Sequence, residues 1–307
     1  FPIDLAQIDR KENRVFDWFF DGIASILKSI AQALFNYYAT LMGSVTSSTA
    51  ISAPLEQLFG GTDVWNMVRT LHQTLLIPLA ESILALIMLV QLVKISQRID
   101  STSTLPAVKD IVFLAVFYVI FHWLIVNSLD IVTAIYNIFN HITASILPSD
   151  PTYMNSFDLS GVEADGDYIG GFLMLVLFGL ISVLVGAVAY IVALVVAFAR
   201  ALQIYVMAAF SPIPLSLLGF EETRSMGIGF LKNFAAVALA GTIMVFVMYS
   251  YPFLLSSVSG VDSGGLAAVA TGTNDGLNSL LSVLAISIVY IFALAKSGAW
   301  ARELLGN

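Results

Sequence analysis

The sequence predicts an all-α, polytopic membrane protein with five transmembrane helices and an additional N-terminal amphipathic helix. Of its 307 residues, 58% are hydrophobic and only 11% are charged. The mean hydropathy of +0.89 is far above that of a soluble domain. Several uncharged stretches reach the roughly 20 residues that a helix needs to cross a bilayer. These stretches are predicted to be helical, because lipid offers no hydrogen-bond partners to the backbone.

The segment of residues 1–62 is predicted to contain one amphipathic helix, over about residues 15–43. Polar side chains recur there every three or four residues, which is the period of one helix face. They are Asp17, Asp21, Ser25, Lys28, Gln32 and Asn36. The helix either lies in the plane of the membrane interface with the N-terminus outside, or crosses the bilayer and places Arg10, Lys11 and Arg14 in the cytoplasm. The spacing of residues leaves both alternatives open.

Residues 63–307 are predicted to form one transmembrane domain whose loops alternate in charge. Hydropathy places the five spans near residues 71–93, 111–136, 168–199, 234–255 and 277–295. The loops at 94–109 and 200–232 and the C-terminal tail contain lysine and arginine, whereas the loops at 137–167 and 256–276 contain only acidic charges. Because basic loops remain in the cytoplasm, the sequence predicts a multi-pass protein of the cytoplasmic (inner) membrane with a cytoplasmic C-terminus.

Composition and motifs argue against catalysis. The chain has no cysteine, which excludes disulfides and thiolate chemistry, and its net charge is −8, which is unfavourable for gripping nucleic acid. It contains no phosphate-binding loop, zinc-protease helix or serine elbow. His72, His122 and His141 lie on separate predicted elements without metal-ligand spacing. The sequence therefore predicts no enzymatic activity, no cofactor and no metal.

The third predicted span carries a stripe of small residues along one face. They are Gly179, Ser182, Gly186, Ala189, Ala193 and Ala197. Their spacing of three or four residues keeps one side of the helix nearly bare, and bare faces let membrane helices pack closely. The stripe predicts a packing surface, either within one subunit or between copies in a homo-oligomer.

Two polar features of the spans are candidates for a hydrated path. The first is a stripe near the outer end of the second span. It consists of Asn127, Asp130, Thr133, Asn137 and Asn140. These side chains either line a lumen, where they avoid the cost of desolvation, or lie on the outer surface. The second is the intramembrane carboxylate Glu81, for which a paired or solvated structural role is the alternative to a functional one.

The stretch "RALQIYVMAAFSPIPLSLLGFEETRS", residues 200–225, joins a long apolar helix to a charged turn. Arg200 is expected to mark the membrane boundary by reaching the headgroups, while the helix continues to Ser211. Pro212 and Pro214 then predict an extended elbow, because proline removes donors and disfavours helix for the preceding residue. A polar cytoplasmic turn follows. It contains Glu221, Glu222 and Arg224.

Three pieces of the chain resemble the TrbL-like polytopic inner-membrane subunit of conjugative type IV secretion systems, in its Gram-positive branch. The most specific is "QIYVMAAFSPIPLSLLGFEETRSMGIGFLKNFAAVALAG", residues 203–241, a long helix that ends in a small-Pro-x-Pro elbow before a charged turn. The others are "VWNMVRTLHQTLLIPLAESI", residues 64–83, and "LAKSGAWARELL", residues 294–305. The resemblance covers roughly residue 63 to the C-terminus.

This resemblance implies a subunit of an inner-membrane translocation channel that passes relaxase-bound single-stranded DNA or protein. It also implies several copies in a ring, assembled with cytoplasmic ATPases and other secretion subunits. The elbow, with Glu221, Glu222 and Arg224, is then the expected docking surface for an ATPase. The alternatives are a non-conducting scaffold of a secretion complex and a secondary transporter, for which Glu81 and Asp130 would be coupling carboxylates.

Overall fold

The computed structural model describes residues 5–44, 51, 53–99, 104–146, 159, 162–259, 269 and 274–306. Within these ranges the chain forms α-helices and short helical turns and contains no strand, so the predicted all-α fold class is confirmed. The helices are α1 (Leu5–Ser44), α2 (Asp63–Leu71), α3 (Ile77–Ile99), α4 (Thr104–Val126), α5 (Ser128–Ile146), α6 (Ile169–Phe210), α7 (Pro212–Ser216), α8 (Arg224–Ser259) and α9 (Asn274–Leu304). Of the acidic loop residues, Asp150, Asp158 and Asp262 lie outside the described ranges.

Five helical stretches of the described chain are long and apolar enough to cross a membrane, in agreement with the predicted spans. They are Asp63–Gln97, Val108–Val126, Ile169–Phe210, Arg224–Leu255 and Leu280–Leu304. The 42 residues of α6 correspond to about 63 Å at 1.5 Å per residue. The hydrocarbon layer is only about 30 Å thick, so α6 is longer than a membrane span requires. It also continues to Phe210, past the end of the predicted span at residue 199.

The first span includes a π-helical turn that the sequence did not predict. His72–Leu76 form this turn between α2 and α3, and Pro78 follows it by two residues. Proline cannot donate a hydrogen bond to the carbonyl four residues earlier, here that of Thr74, and its ring crowds that carbonyl. A π turn is one of the ways in which a helix absorbs such a local mismatch.

The predicted second span is divided at Asn127 into α4 and α5. The Asn127 side chain donates a hydrogen bond to the Trp123 carbonyl at 2.8 Å. This is the local competition with helical bonding that asparagine favours. The backbone bonds nevertheless continue across the junction, from Asn127 N to Trp123 O and from Ile131 N to Asn127 O. Only α4 is among the stretches that could cross a membrane, and α5 is amphipathic.

The elbow between α6 and α8 is helical, so the predicted extended backbone is wrong. Ser211 has φ −56° and ψ −31°, and the helix α7 begins at the next residue. Proline is tolerated in the first turn of a helix, because the N–H groups there have no intrahelical acceptor. The Ser211 hydroxyl also donates to the Ala208 carbonyl, which Pro212 leaves without its usual donor. This bond offsets the disfavour for helix at the residue before proline.

The chain packs into two compact units. The first combines residues 1–48, 146–195 and 245–295, and the second combines residues 49–145, 196–244 and 296–307. Each unit therefore brings together segments that are distant in sequence. The predicted division into an N-terminal segment of residues 1–62 and a transmembrane domain of residues 63–307 remains a prediction, because packing units and independently folding domains are different properties.

In the first unit, α1 packs against protein with its apolar face. The buried residues of that face are Ala24, Ala31, Phe35, Tyr38 and Met42. A buried hydroxyl cluster joins three helices, because Tyr38 of α1 hydrogen-bonds with Tyr251 of α8 and, at 2.7 Å, with Ser287 of α9. Within an apolar interior such bonds are costly to leave unmade. They therefore fix α1 against α8 and α9.

Candidate functional site

The six small residues of the α6 stripe are buried within one chain. Gly179 and Gly186 face α1: a Cβ on Gly179 would lie 3.0 Å from Leu34 Cβ, and one on Gly186 would lie 2.7 Å from the Tyr38 ring. Ser182, Ala189, Ala193 and Ala197 are at most 1% exposed. Their lack of bulk is used for close helix packing inside the subunit, and these atoms offer no surface to a second copy.

Arg200 does not extend to an aqueous surface, contrary to the expectation that it reaches the headgroups. Its side chain is only 8% exposed. It crosses to α8, where Nε donates to the Val237 carbonyl at 2.9 Å and Nη2 to the Ala238 carbonyl at 3.0 Å. The guanidinium lies against Gly241, whose missing side chain provides the space. Burying a charge is costly unless its donors find acceptors, and helix carbonyls provide them here for Nε and Nη2.

Buried or half-buried polar residues of α5 and α8 in the second unit are grouped with Arg200 as a polar junction, in which Tyr136 lies next to the guanidinium. The junction consists of Tyr136, Asn140, Thr143, Arg200 and Thr242. The Tyr136 hydroxyl lies beside the guanidinium and donates to the Ala53 carbonyl at 2.8 Å. The hydroxyls of Thr143 and Thr242 form a hydrogen bond of 2.8 Å. Among the described residues, Arg200 Nη1 and Asn140 Oδ1 are buried polar atoms without a hydrogen-bond partner. The sequence did not predict this junction, because its members are up to 106 residues apart along the chain.

The polar stripe of α5 occupies a face that is only partly covered. Asp130 and Asn137 are exposed, while Asn127, Thr133 and Asn140 are half-buried. Thr133 satisfies its hydroxyl with the Leu129 carbonyl at 2.7 Å. The opposite face of α5 is buried, and it includes Val132 and Tyr136. The structure thus places Asp130, Thr133, Asn137 and Asn140 on one side of α5, with Asn127 immediately before the helix.

Glu81 of α3 is paired with His122 of α4, with Oε1 3.2 Å from Nδ1. The carboxylate and imidazole side chains are 38% and 47% exposed, on a face that is otherwise apolar. The sequence offered one signal that could have found the partner. The number of residues from Glu81 to the end of α3 at Ile99 equals the number from the start of α4 at Thr104 to His122. Residues placed in this way meet when two consecutive helices pair antiparallel.

His72 connects the π turn to the end of α6. It is 1% exposed. Its Nδ1 lies 3.1 Å from the Ala209 carbonyl and its Nε2 lies 3.3 Å from the Ser128 hydroxyl. A carbonyl only accepts, so Nδ1 carries the proton and Nε2 accepts from the hydroxyl. The imidazole thus bonds to a carbonyl at the end of α6, between the Ala208 and Phe210 carbonyls whose usual helical donors are missing at Pro212 and Pro214.

The elbow itself is part of the packing of the second unit, where α7 contacts α3 and α4. Pro212 is buried and Pro214 is half-buried. A Cβ on Gly227 would lie 2.6 Å from both the Pro214 carbonyl oxygen and the Leu218 side chain. The two prolines therefore shape the turn from within, and neither is a major part of an exposed contact surface.

The charged turn, defined as Glu221, Glu222 and Arg224, is exposed. Glu222 forms an ion pair with Lys94 of α3 at 2.7 Å. The hydrogen bond from Lys94 and its positive charge lower the pKa of Glu222 below its usual value. The pair therefore contributes stability above the unfolded-state pKa of the carboxyl, and this contribution is lost as the pH falls through the folded-state pKa. Solvent screening keeps the contribution small, so the turn is principally a charged surface.

No group of histidine and acidic side chains in the described part of the chain could hold a metal ion. Comparison with known proteins gives one family: a model described as "TrbL/VirB6 plasmid conjugal transfer like protein" matches residues 5–303. No curated protein and no solved structure matches the chain.

Proposed function

Since the chain belongs to the TrbL/VirB6 family of plasmid conjugal transfer proteins, a family of structural type IV secretion components, we propose that it is an inner-membrane channel subunit. In this role it helps to carry relaxase-bound single-stranded DNA, or protein, across the cytoplasmic membrane. The observation that supports the proposal most is the family match over nearly the whole chain, combined with five helices able to span a membrane. Loss of plasmid transfer from donor cells that lack the chain, restored by its expression, tests the proposal.

The exposed polar face of α5 is the proposed contribution to a hydrated path. It presents Asp130 and Asn137 to the exterior of the chain, while Val132 and Tyr136 on the opposite face are buried. A polar face beside apolar spans is stable where water covers it. In a multi-copy assembly, this face from each subunit would meet the transported chain.

Replacing Asp130 with Ala is expected to lower plasmid transfer about tenfold, which corresponds to about 1.4 kcal/mol in the rate-limiting step. The change removes one charge from the proposed hydrated face and leaves the buried face of α5 untouched. Transfer frequency and the amount of membrane-inserted protein are measured together. Glu163→Ala, at an exposed acidic residue before α6, is the control and should transfer normally. Equal transfer by both variants would contradict the role of the α5 face.

The charged turn is the proposed docking surface for a cytoplasmic ATPase of the secretion system. Glu221 and Arg224 are exposed, and the packing of α7 below them holds the turn in place. Clusters of both signs favour a specific orientation of a partner more than they favour affinity. Pro212, which is buried, supports this surface without belonging to it.

Reversing both charges, with Glu221→Lys and Arg224→Glu, is expected to reduce recovery of the ATPase on co-purification by at least about tenfold, or about 1.4 kcal/mol of binding free energy. Like charges then face each other in a contact that was complementary. Glu303→Lys, a reversal at an exposed residue near the C-terminal end of α9, is the control. Unchanged recovery from the double variant would refute docking at this turn.

A ring of copies remains part of the proposal, with contacts other than the α6 stripe. The stripe is filled by residues of its own chain, including Leu34 and Tyr38. Thiol cross-linking can locate the contacts directly, because the natural sequence contains no cysteine. Single cysteines on the exposed face of α4, at Val112, Val116 or Val119, should yield linked dimers in native membranes if this face joins copies.

A further inference from the structure

The first unit contains a cluster of large aromatic side chains that its packing does not explain. Trp18, Phe19 and Phe20 follow one another on α1 and are 76%, 56% and 42% exposed. Aromatic residues of this size are normally the best-buried side chains of a helix. Further along α1, Ile26, Ile30 and Tyr37 are also exposed, but Trp18, Phe19 and Phe20 are the three consecutive aromatic residues of the helix that are exposed together.

The direction of α1 follows from its contacts along α6. Leu34 lies against Gly179, and Tyr38, one turn later, lies against Gly186. Both helices therefore advance in the same direction along this contact. Earlier α1 residues agree, because Lys28 donates to the Val162 carbonyl at 2.6 Å and Gln32 accepts from Leu159 N at 2.8 Å, both in the chain before α6 begins.

This shared direction fixes the level of the aromatic cluster relative to the start of α6. Trp18 precedes Leu34 by 16 residues, or about 24 Å, and Ile169 precedes Gly179 by 10 residues, or about 15 Å. The cluster thus lies about 6 to 9 Å beyond the first residue of α6. We take the hydrocarbon to begin at Ile169, the first residue of this apolar span. The headgroup layer on each side of the hydrocarbon is about 5 to 7 Å thick.

Other residues near the start of α6 are also of the types found at a membrane interface. Tyr168, at the start of α6, is also exposed, and α1 contacts the turn formed by Gly166–Tyr168. Tryptophan and tyrosine concentrate at this depth because one part of each ring system is apolar and another is polar. Below it, α6 presents exposed leucines suited to hydrocarbon, such as Leu173 and Leu177.

We propose that Trp18, Phe19 and Phe20 form an aromatic anchor that binds the lipid headgroup layer on the side of the membrane where α6 begins. The helix α1 accordingly stands beside α6 and enters the membrane from that side. It neither lies flat in the interface nor crosses in the direction opposite to α6. The polar stripe of α1 is compatible with this depth, because Lys28 and Gln32 hydrogen-bond to the backbone of Val162 and Leu159, respectively.

The test places a nitroxide at Gly22, one turn after Trp18, where a new side chain meets no atom within 4 Å. Gly22→Cys provides the single attachment site in this cysteine-free chain. In liposomes, collision rates with oxygen and with a water-soluble nickel complex give the depth of the label. Labels at Glu221→Cys, in the exposed charged turn, and at Leu177→Cys, on the exposed apolar surface of α6, mark the water and hydrocarbon levels. A label at Asp167→Cys marks the level expected for Gly22, because Asp167 precedes Gly179 by as many residues as Gly22 precedes Leu34.

The anchor predicts that the Gly22 label lies between the water and hydrocarbon levels, at the depth of the label at residue 167. As a free thiol, it should react with an impermeant maleimide from the same side as Asp167→Cys. Replacing the three aromatic residues with Ala should raise its nickel collision rate at least about twofold, as the anchor is lost. A label as accessible to nickel as the one at residue 221, or reactive only from the opposite side, would overturn the proposal. Shielding from both oxygen and nickel would also overturn it, because it would mean that protein covers the cluster.

Discussion

Gly241→Ala is expected to destabilise the protein by roughly 3–5 kcal/mol, a large effect for the addition of one methyl group. A Cβ at this position would overlap Cζ, Nη1 and Nη2 of Arg200. The guanidinium would have to leave the carbonyls of Val237 and Ala238 while remaining buried. The thermal unfolding midpoint of the detergent-solubilised protein measures the loss.

Two further variants separate this explanation from a general intolerance of α8 to substitution. Gly229→Ala on the same helix meets no atom within 4 Å and should stabilise by about 0.5–1 kcal/mol, because alanine favours helix over glycine. In an Arg200→Met background, Gly241→Ala should lose most of its effect, because no buried charge is displaced. An equal penalty in both backgrounds would show that the guanidinium is not the cause.

Gly227→Ala should destabilise the protein by about 1–3 kcal/mol through overpacking against the elbow. Its Cβ would lie 2.6 Å from the backbone oxygen of Pro214, which cannot move without displacing α7, and equally close to Leu218. Reduced resistance to proteolysis in the segment that follows Phe210 is the expected companion of the lower unfolding midpoint, because the contact holds α7 against α8.

Gly229→Ala again provides the control, only two residues away on the same helix. We expect Gly227→Ala to lower the free energy of unfolding and Gly229→Ala to raise it, although both replacements add one methyl group to the same helix. A stabilising Gly227→Ala would mean that α7 does not pack back on α8.

The spans were predictable because each is determined by its own residues. An uncharged stretch of bilayer length has to be helical wherever lipid surrounds it, so hydropathy alone located the five candidates. The breaks were less predictable. At Asn127, where the predicted second span divides, the side chain hydrogen-bonds to the Trp123 carbonyl. Pro212 begins a short helix, although the usual effect of proline on the preceding residue predicted extended backbone there. Both outcomes depend on bonds to neighbouring turns.

The sites depended more strongly on contacts between distant segments. Arg200 follows an apolar run, which in sequence is typical of a membrane boundary, and only the bare surface at Gly241 reveals that its side chain remains inside. Glu81 was recognised as an intramembrane carboxylate, but its partner His122 is supplied by the next helix. The small-residue stripe predicted a packing surface, and Leu34 and Tyr38 of the same chain lie against two of its glycines. Which surface fills it could not be read from α6 alone.

The most direct test of the channel proposal is whether the exposed face of α5 touches the transported strand. A benzophenone amino acid at Asn137 is irradiated in donor cells during plasmid transfer, with the same residue at Leu89, on the exposed apolar face of α3, as the control. The proposal predicts plasmid single-stranded DNA or relaxase covalently linked at position 137 and not at position 89. Active transfer with no such product at position 137, or with equal products at both positions, would contradict it and leave the chain a scaffold.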